Sequence, residues 1–370
     1  MPVLSMKACT LVLIILFIFC LSLILIPRVR AAVPVVTVYI KSDGSVSSSE
    51  IIRDGDVYTL VDDISVTHES GIIIERDNMV LNGNGHTVSG TRYEDGIYVS
   101  GRTNVTLRNI TVKEFYWGVY LESSTNCTIS SCNVSANGFF GIHISYGKNN
   151  TIFNNTITGN VDNGVDVSYS TSNRIVGNTI TYDNDGVMLA GGLNNTISDN
   201  VVLRNDVGVY LWENTNYTNV FRNDIRENGW GVAFYNTKGN SVFSNNITDG
   251  YYGLYVEVCS GNAIYHNNLV NNTAGHAYSF NAVNTWDNGY PSGGNFWSGY
   301  AGKDTTGDGI GETPYVVDAS NQDRYPLVNR YPVPELPLIM IVAVLATAAS
   351  IMACSHKRSL SLHHEELSSV

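Results

Sequence analysis

A chain of 370 residues with a net charge of −12 and only 15% charged residues offers nucleic acid no basic face to bind its phosphates. Of six cysteines, Cys9, Cys20 and Cys354 sit in apolar runs and only Cys127, Cys132 and Cys259 in the body, which excludes a disulfide framework and shows no metal-site spacing. The 41 Asn and 34 Gly residues point to a fold with many turns, where these types supply left-handed backbone and side-chain-to-backbone bonds.

At the N-terminus, Lys7 precedes an uncharged run over 8–26, followed by Arg28, Arg30 and the small pair Ala31 and Ala32. Residues 1–32 read as a secretory signal peptide, with an uncleaved signal anchor as the alternative. Residues 33–70 are predicted to form an N-terminal cap. Strands are expected at 35–40, 58–60 and 64–66 from their β-branched and aromatic content, with a turn at Asp43-Gly44. A solenoid needs such a piece to cover its terminal core and sheet edge.

From 71 to 276 the chain repeats. The phrase Gly-aliphatic-x-aliphatic starts at Gly96, Gly118, Gly141, Gly164, Gly186, Gly208, Gly231 and Gly253, in steps of 22 or 23 residues. A degraded copy lies near Gly275, and self-similarity of this kind marks a repeat architecture. Each repeat holds three short β-rich segments separated by Asn, Asp, Gly and Ser, and no window carries the 3.6-residue period of a helix. A leucine-rich repeat would need leucine and a helical segment on its far side; here the apolar positions are mainly Ile and Val. The expected fold is therefore all-β: a single-stranded parallel β-helix with three short strands per ~22-residue coil. Parallel crossovers make it right-handed, and nine coils would stack to about 43 Å. Asn109, Asn155, Asn178, Asn200, Asn223, Asn245 and Asn268 recur at the same period, with Cys132 filling the missing place. They are expected to form an internal ladder of stacked amides in which Cys132 is a small buried substitute.

Residues 277–330, rich in aromatics and Asp-Gly turns, are expected to form a C-terminal cap. A Pro-rich stalk at 331–337 leads to an apolar run at 338–354, read as a transmembrane helix. Lys357 and Arg358 follow, placing the 355–370 tail in the cytoplasm. The expectation is a single-pass cell-membrane protein with the bulk of the chain extracellular.

Several motifs carry a family resemblance. "KSDGS" at 41–45 and "IIRDGDVYTLVDDI" at 51–64 precede the repeat. "NFWSGY" at 295–300, "DGIGETPY" at 308–315 and "QDRYPL" at 322–327 follow it. Together with the repeat they resemble the NosD-like right-handed parallel β-helix family, in its archaeal surface-protein form. The resemblance spans roughly 34–330 and implies a secreted or surface-anchored β-helix. Through the family's name, periplasmic copper-binding protein, it also implies copper.

In a strand, alternation sends the two aliphatics of the repeated phrase inward and x outward. The outward column is Tyr98, Tyr120, His143, Asp166, Met188, Tyr210, Ala233 and Tyr255. Trp117, Phe140, Trp230 and Tyr252 stand just before the glycines, and Asp162, Asp166, Asp183, Asp185 and Asp206 cluster mid-way. Such a face can stack on sugar rings and bond their hydroxyls, so binding of carbohydrate or a surface polymer is the leading reading. The alternative is a polysaccharide lyase, epimerase or glycosidase using Asp162, Asp166, Asp185 and Asp206 with His143 and Arg174. The same aspartates also read as ordinary turn residues. A third reading, copper binding or metal delivery, wants clustered His, Cys or Met, whereas His143, His266 and His276 are dispersed and Met188 stands alone. Asp304, Thr306, Asp308, Ile310 and Glu312 follow the spacing of a calcium loop, with Tyr315 where the bidentate Glu belongs. Sequons at Asn104, Asn126, Asn149, Asn194, Asn216, Asn246 and Asn271 are candidate glycosylation sites, and Asn109 is expected to be shielded inside the ladder.

Overall fold

A computed structural model of the protein describes residues 36–333. The expected signal segment, transmembrane helix and tail lie outside them. All the regular structure described is strand, and no helix among the described residues is long and apolar enough to cross a membrane.

The strands stack into three long parallel sheets. The first holds eleven strands, among them Val119–Glu122, Ile142–Ser145, Val165–Ser168, Asp185–Ala190 and Val207–Trp212. These carry the Gly-aliphatic-x-aliphatic phrase, in register from rung to rung: Tyr98, Tyr120, His143, Asp166, Met188, Tyr210, Ala233, Tyr255 and Tyr278 pair in one line. The second sheet has twelve strands and the third eleven. Ile and Val alternate inward on all three, and their side chains merge into one continuous buried core. The chain is thus a parallel β-solenoid, and each coil contacts chiefly its neighbours.

The recurring glycine of the phrase has a steric cause. A Cβ on Gly118 would lie 2.5 Å from the Gly141 carbonyl oxygen and 2.6 Å from both Val134 Cγ1 and Asn137 Nδ2. The glycine and the aliphatic after it both face inward, so the residue before the glycine and the x residue both face outward.

Corners are held by buried asparagines. Asn155, Asn178, Asn200, Asn223, Asn245, Asn267 and Asn295 form one ladder, in which each side-chain oxygen accepts the backbone N–H of the rung below. Cys132 occupies the next rung down and is buried and free, as expected. Two members of the expected ladder are corrected. Asn109 is exposed, at the left-handed bend (φ 54°) one residue before the rung, which Ile110 fills. Asn268 lies one residue beyond its rung, in the strand Asn268–Val270, and Asn267 takes the place. Two further ladders occupy the other corners. One runs through Asn150, Asn173 and Asn195 and resumes at Asn240 and Asn262. The other runs through Asn137, Asn160, Asp183, Asn205 and Asn228.

Both ends differ from the expected boundaries. The segment read as an N-terminal cap already contributes a rung to each sheet: Val38–Ile40 pairs with Ile72–Ile74, Val57–Leu60 with Met79–Asn82, and Ile64–Ser65 with Thr87–Ser89. Only the antiparallel strand Ile51–Asp54 is an added cover, laid on the edge of the second sheet. At the other end the ladder does not stop at 276. Gly275–Phe280, Val283–Thr285 and Phe296–Trp297 complete one more coil. In that coil, whose phrase survives as the degraded copy near Gly275, His276 stands where the earlier rungs have glycine, beside Leu254↔Ala277. The cap proper closes on buried Asp323, which accepts from Asn295 N and Trp297 Nε1 and is pushed up to about 6 by burial. Arg324 clasps Asp287 through both carboxylate oxygens. The "NFWSGY" and "QDRYPL" motifs are therefore end-sealing chemistry.

Candidate functional site

The outward residues of each coil on the first sheet include those two and one before the glycine, and the x residue. They form three parallel columns at a rung spacing of about 4.8 Å. The column two before the glycine reads Glu94, Tyr116, Phe139, Asp162, Asn184 and Asp206, linked in order by backbone hydrogen bonds. The column one before reads Asp95, Trp117, Phe140, Asn163, Asp185, Val207, Trp230 and Tyr252.

The face divides into an aromatic lower flank, an acidic centre and an aromatic upper flank. Below, Trp117 lies parallel to Phe140 at 6.3 Å, Tyr116 to Phe139 at 5.3 Å, and Tyr98 stacks on Tyr120 at 5.3 Å. Above, Trp230 stacks on Tyr255 at 4.1 Å, and Tyr255 on Tyr278 at 4.9 Å. Tyr210 joins the centre to the upper flank; burial and the Asp185 charge push its hydroxyl up to about 12.

His143 sits at the junction of the lower flank and the centre. Its ring is 4.8 Å from that of Tyr120 and 5.1 Å from those of Trp117 and Phe140. His143 Nδ1 lies 2.8 Å from Asp166 Oδ1 but off the line of a hydrogen bond, and it has no other partner. Asp166 is buried; Ser168 Oγ donates to its Oδ1 at 2.7 Å and Asn163 Nδ2 to its Oδ2 at 3.1 Å. Asn163 Nδ2 also approaches Met188 Sδ at 3.2 Å. Three polar atoms of this patch are buried and unpaired: Trp117 Nε1, His143 Nδ1 and Asn163 Oδ1. Such atoms cost stability unless something polar meets them.

The centre brings together four of the five expected aspartates, Asp162, Asp166, Asp185 and Asp206. Asp185 is buried and pushed up to about 7, chiefly by desolvation and then by the charges of Asp162, Asp206 and Asp166. Burial also raises Asp162, which accepts from Asn184 Nδ2 at 3.2 Å. Asp206 is exposed. Two residues expected at this site are elsewhere. Asp183 points inward as a ladder rung, and Arg174 belongs to the second sheet, between Thr151 and Thr196. The sequence reading missed Asp95, pushed up to about 7 by burial and by Glu94, and Asn163. Both stand immediately before a repeat glycine, the position that also carries Trp117 and Phe140, and that signal was available.

The remaining candidates lie away from this face. In the Asp304 loop the carboxylates turn onto amides. Asp304 accepts from the N–H groups of Gly307, Asp308 and Gly309, and Glu312 from those of Thr305 and Thr306. Asp308 accepts from Ile310 N–H, and Thr306 Oγ1 is 3.4 Å from Asp304 Oδ1. Among the sequons, Asn104, Asn126, Asn149, Asn194 and Asn271 are exposed at left-handed bends, while Asn216 and Asn246 are half-buried.

Likenesses to solved structures are those of fold. A Dettilon tailspike protein matches with a TM-score of 0.50 and 16% identity, over 66% of this chain and 60% of its own. The periplasmic alginate epimerase AlgG matches with a TM-score of 0.40 and 15% identity, over 66% and 83%. Pectate lyase Pel9A matches at 0.39 and 17%, over 63% and 70%. No curated protein sequence matches the chain. A family model described as periplasmic copper-binding protein (NosD) matches residues 42–229 and 214–302.

The copper in that description finds no clustered donor set among the described residues. His266 Nε2 and His276 Nε2 each lie 2.8 Å from a backbone carbonyl, of Ser292 and Ser298. The thiols of Cys127, Cys132 and Cys259 are buried singly, Cys132 pushed up to about 11 by burial. Among the described residues no three His, Cys, Asp or Glu side chains converge as metal ligands, and copper sites require such convergence. The match takes in most of the solenoid and the aromatic strand Phe296–Trp297 at its end, and by that match over most of its length the chain belongs to the NosD family.

Proposed function

We propose that the protein is a membrane-anchored extracellular β-helix that binds a glycan chain laid along the first sheet. One observation carries the reading: the outward columns present two stacks of aromatic rings, one on either side of a polar centre, on a single rigid face. Aromatic faces pair with the apolar faces of sugar rings while polar groups between them bond hydroxyls. Anchoring is supported by the uncharged run at 338–354 followed by Lys357 and Arg358. Glycan-array screening followed by titration tests the proposal. Trp230→Ala is expected to weaken binding about tenfold, roughly one aromatic contact. Phe221→Ala, which removes an aromatic stacked on Phe243 in the second sheet, should leave binding unchanged. Equal losses in the two variants would refute the assignment to the first sheet.

A second reading, acid–base catalysis on the bound glycan, is favoured by the 2.8 Å approach of His143 to Asp166 and by Asp185 at about 7. Asp185 as proton donor would make the rate decline as pH rises through about 7. Under this reading Asp166→Asn lowers turnover by at least about a hundredfold, far more than it lowers affinity. Absence of any product from a glycan that binds tightly rules catalysis out.

A further inference from the structure

Charge on the first-sheet face is of one sign. None of its three columns contains Lys or Arg from Glu94 to Tyr278, nor does the neighbouring outward column of Ser100, Glu122, Ser145, Ser168 and Glu257. Against that, Glu94, Asp95, Asp162, Asp166, Asp185 and Asp206 all stand in the columns. The basic residues of the body lie on the other sheets and bends: Arg174 and Arg226 on strands of the second and third sheets, and Arg222 at a bend, paired with Asp199. An anionic polymer laid along this face would meet repulsion at each acidic rung and no compensating cation.

A second, independent feature concerns hydrogen bonding. Asn163 is only 2% exposed, its Nδ2 donates to Asp166 Oδ2 within the acidic centre, and its Oδ1 accepts nothing. An unpaired acceptor buried beside carboxylates calls for a donor, and one that is also a cation meets the neighbouring charge as well. At the edge of the same patch the unpaired donor Trp117 Nε1 calls for an acceptor such as a sugar hydroxyl. A protonated amine carried on a sugar ring supplies both, and the aromatic flanks receive the neighbouring rings.

We propose that the glycan bound by this face is an amino-sugar polymer, with its protonated amines seated on the Asp162, Asp166 and Asp206 carboxylates and its flanking rings stacked on the aromatic rungs. The proposal rests on the glycan-binding reading and adds the charge of the ligand. The rungs repeat at about 4.8 Å, so an extended chain laid along the face spans several rungs, and several weak charge contacts act together.

The test titrates the full-length protein, in mildly acidic buffer that keeps the amines protonated, with four probes of matched length. These are fully deacetylated chito-oligosaccharide, its N-acetylated neutral counterpart, oligogalacturonate and oligolysine. The deacetylated oligosaccharide is expected to bind at least about tenfold tighter than the acetylated one, an advantage that shrinks with added salt. In the Asp162→Asn/Asp206→Asn double variant the ratio of the two affinities should fall toward one. Equal binding of the neutral and cationic saccharides, or tightest binding of oligogalacturonate, overturns the amino-sugar proposal and leaves glycan binding standing. Oligolysine binding as tightly as the deacetylated saccharide also overturns it, because charge alone is then read. If no saccharide binds, both this proposal and the glycan-binding reading fail.

Discussion

Replacing Val187 by Asp is expected to open the coils on either side of it, with new protease cuts appearing roughly between 164 and 210. Val187 is fully buried and pairs with Val165 below and Val209 above. A carboxylate there has no partner and must either shed its charge or draw in water, at a cost of several kcal/mol. In a solenoid each coil is stabilised mainly by its two neighbours, so damage spreads locally before it becomes global. The adjacent change Met188→Gln, on the outward side of the same strand and only half-buried, should leave the protease pattern as it was. Limited proteolysis with mass mapping of the cuts decides the matter. Unchanged resistance in Val187→Asp would falsify the register.

The second large effect is a gain. Asp183→Asn is expected to stabilise the protein at neutral pH by about 1–3 kcal/mol, the usual cost of a buried unpaired polar group. Asp183 is 6% exposed and occupies a rung that Asn160, Asn205 and Asn228 fill elsewhere. Its Oδ1 accepts from Asn160 N and Nδ2, but Oδ2 is buried without a partner. Burial holds its pKa well above the usual carboxylate value. The folded state therefore keeps a proton that the unfolded chain releases at about pH 4. Stability from this group is complete below that pH and is lost as pH rises toward the folded pKa. In sister rungs the amide Nδ2 donates to a carbonyl of the coil below, as Asn228 does to Val202 at 3.0 Å. An introduced amide completes that bond at every pH, whereas the carboxyl can donate it only while protonated. Thermal melts at pH 4 and pH 7.5 should show the variant gaining at the higher pH and little at the lower. An equal gain at both would mean that Asp183 is not held neutral.

The period, the three strands per coil, the inward aliphatics and the outward column were all legible, because a solenoid is built from local repeats whose spacing survives in the sequence. The ladders were legible only in part. Asn occurs at inward rungs and at exposed left-handed bends one residue away, as Asn154 and Asn155 show, and a slip of one residue put Asn109 and Asn268 in the wrong place. The final coil was legible only as a degraded copy, because His276 replaces the glycine and a long excursion separates Val283–Thr285 from Phe296–Trp297.

The candidate site divides in the same way. Strand alternation alone placed Tyr98, Tyr120, His143, Asp166, Met188 and Tyr210 on one outward line, since a side chain's direction in a strand depends only on its position along the chain. What the sequence determined by itself was therefore the coil, its period and the order of chemistry along its face. Only the tertiary structure decided which carboxylates share that face. Asp183 turns into the wall while Asp185, two residues on, turns out beside Asp162 and Asp206. Arg174 leaves for the second sheet, and Asn163 is left with an unpaired oxygen. These outcomes depend on where the corners bend and on what the adjacent coils present, and one coil's sequence contains neither.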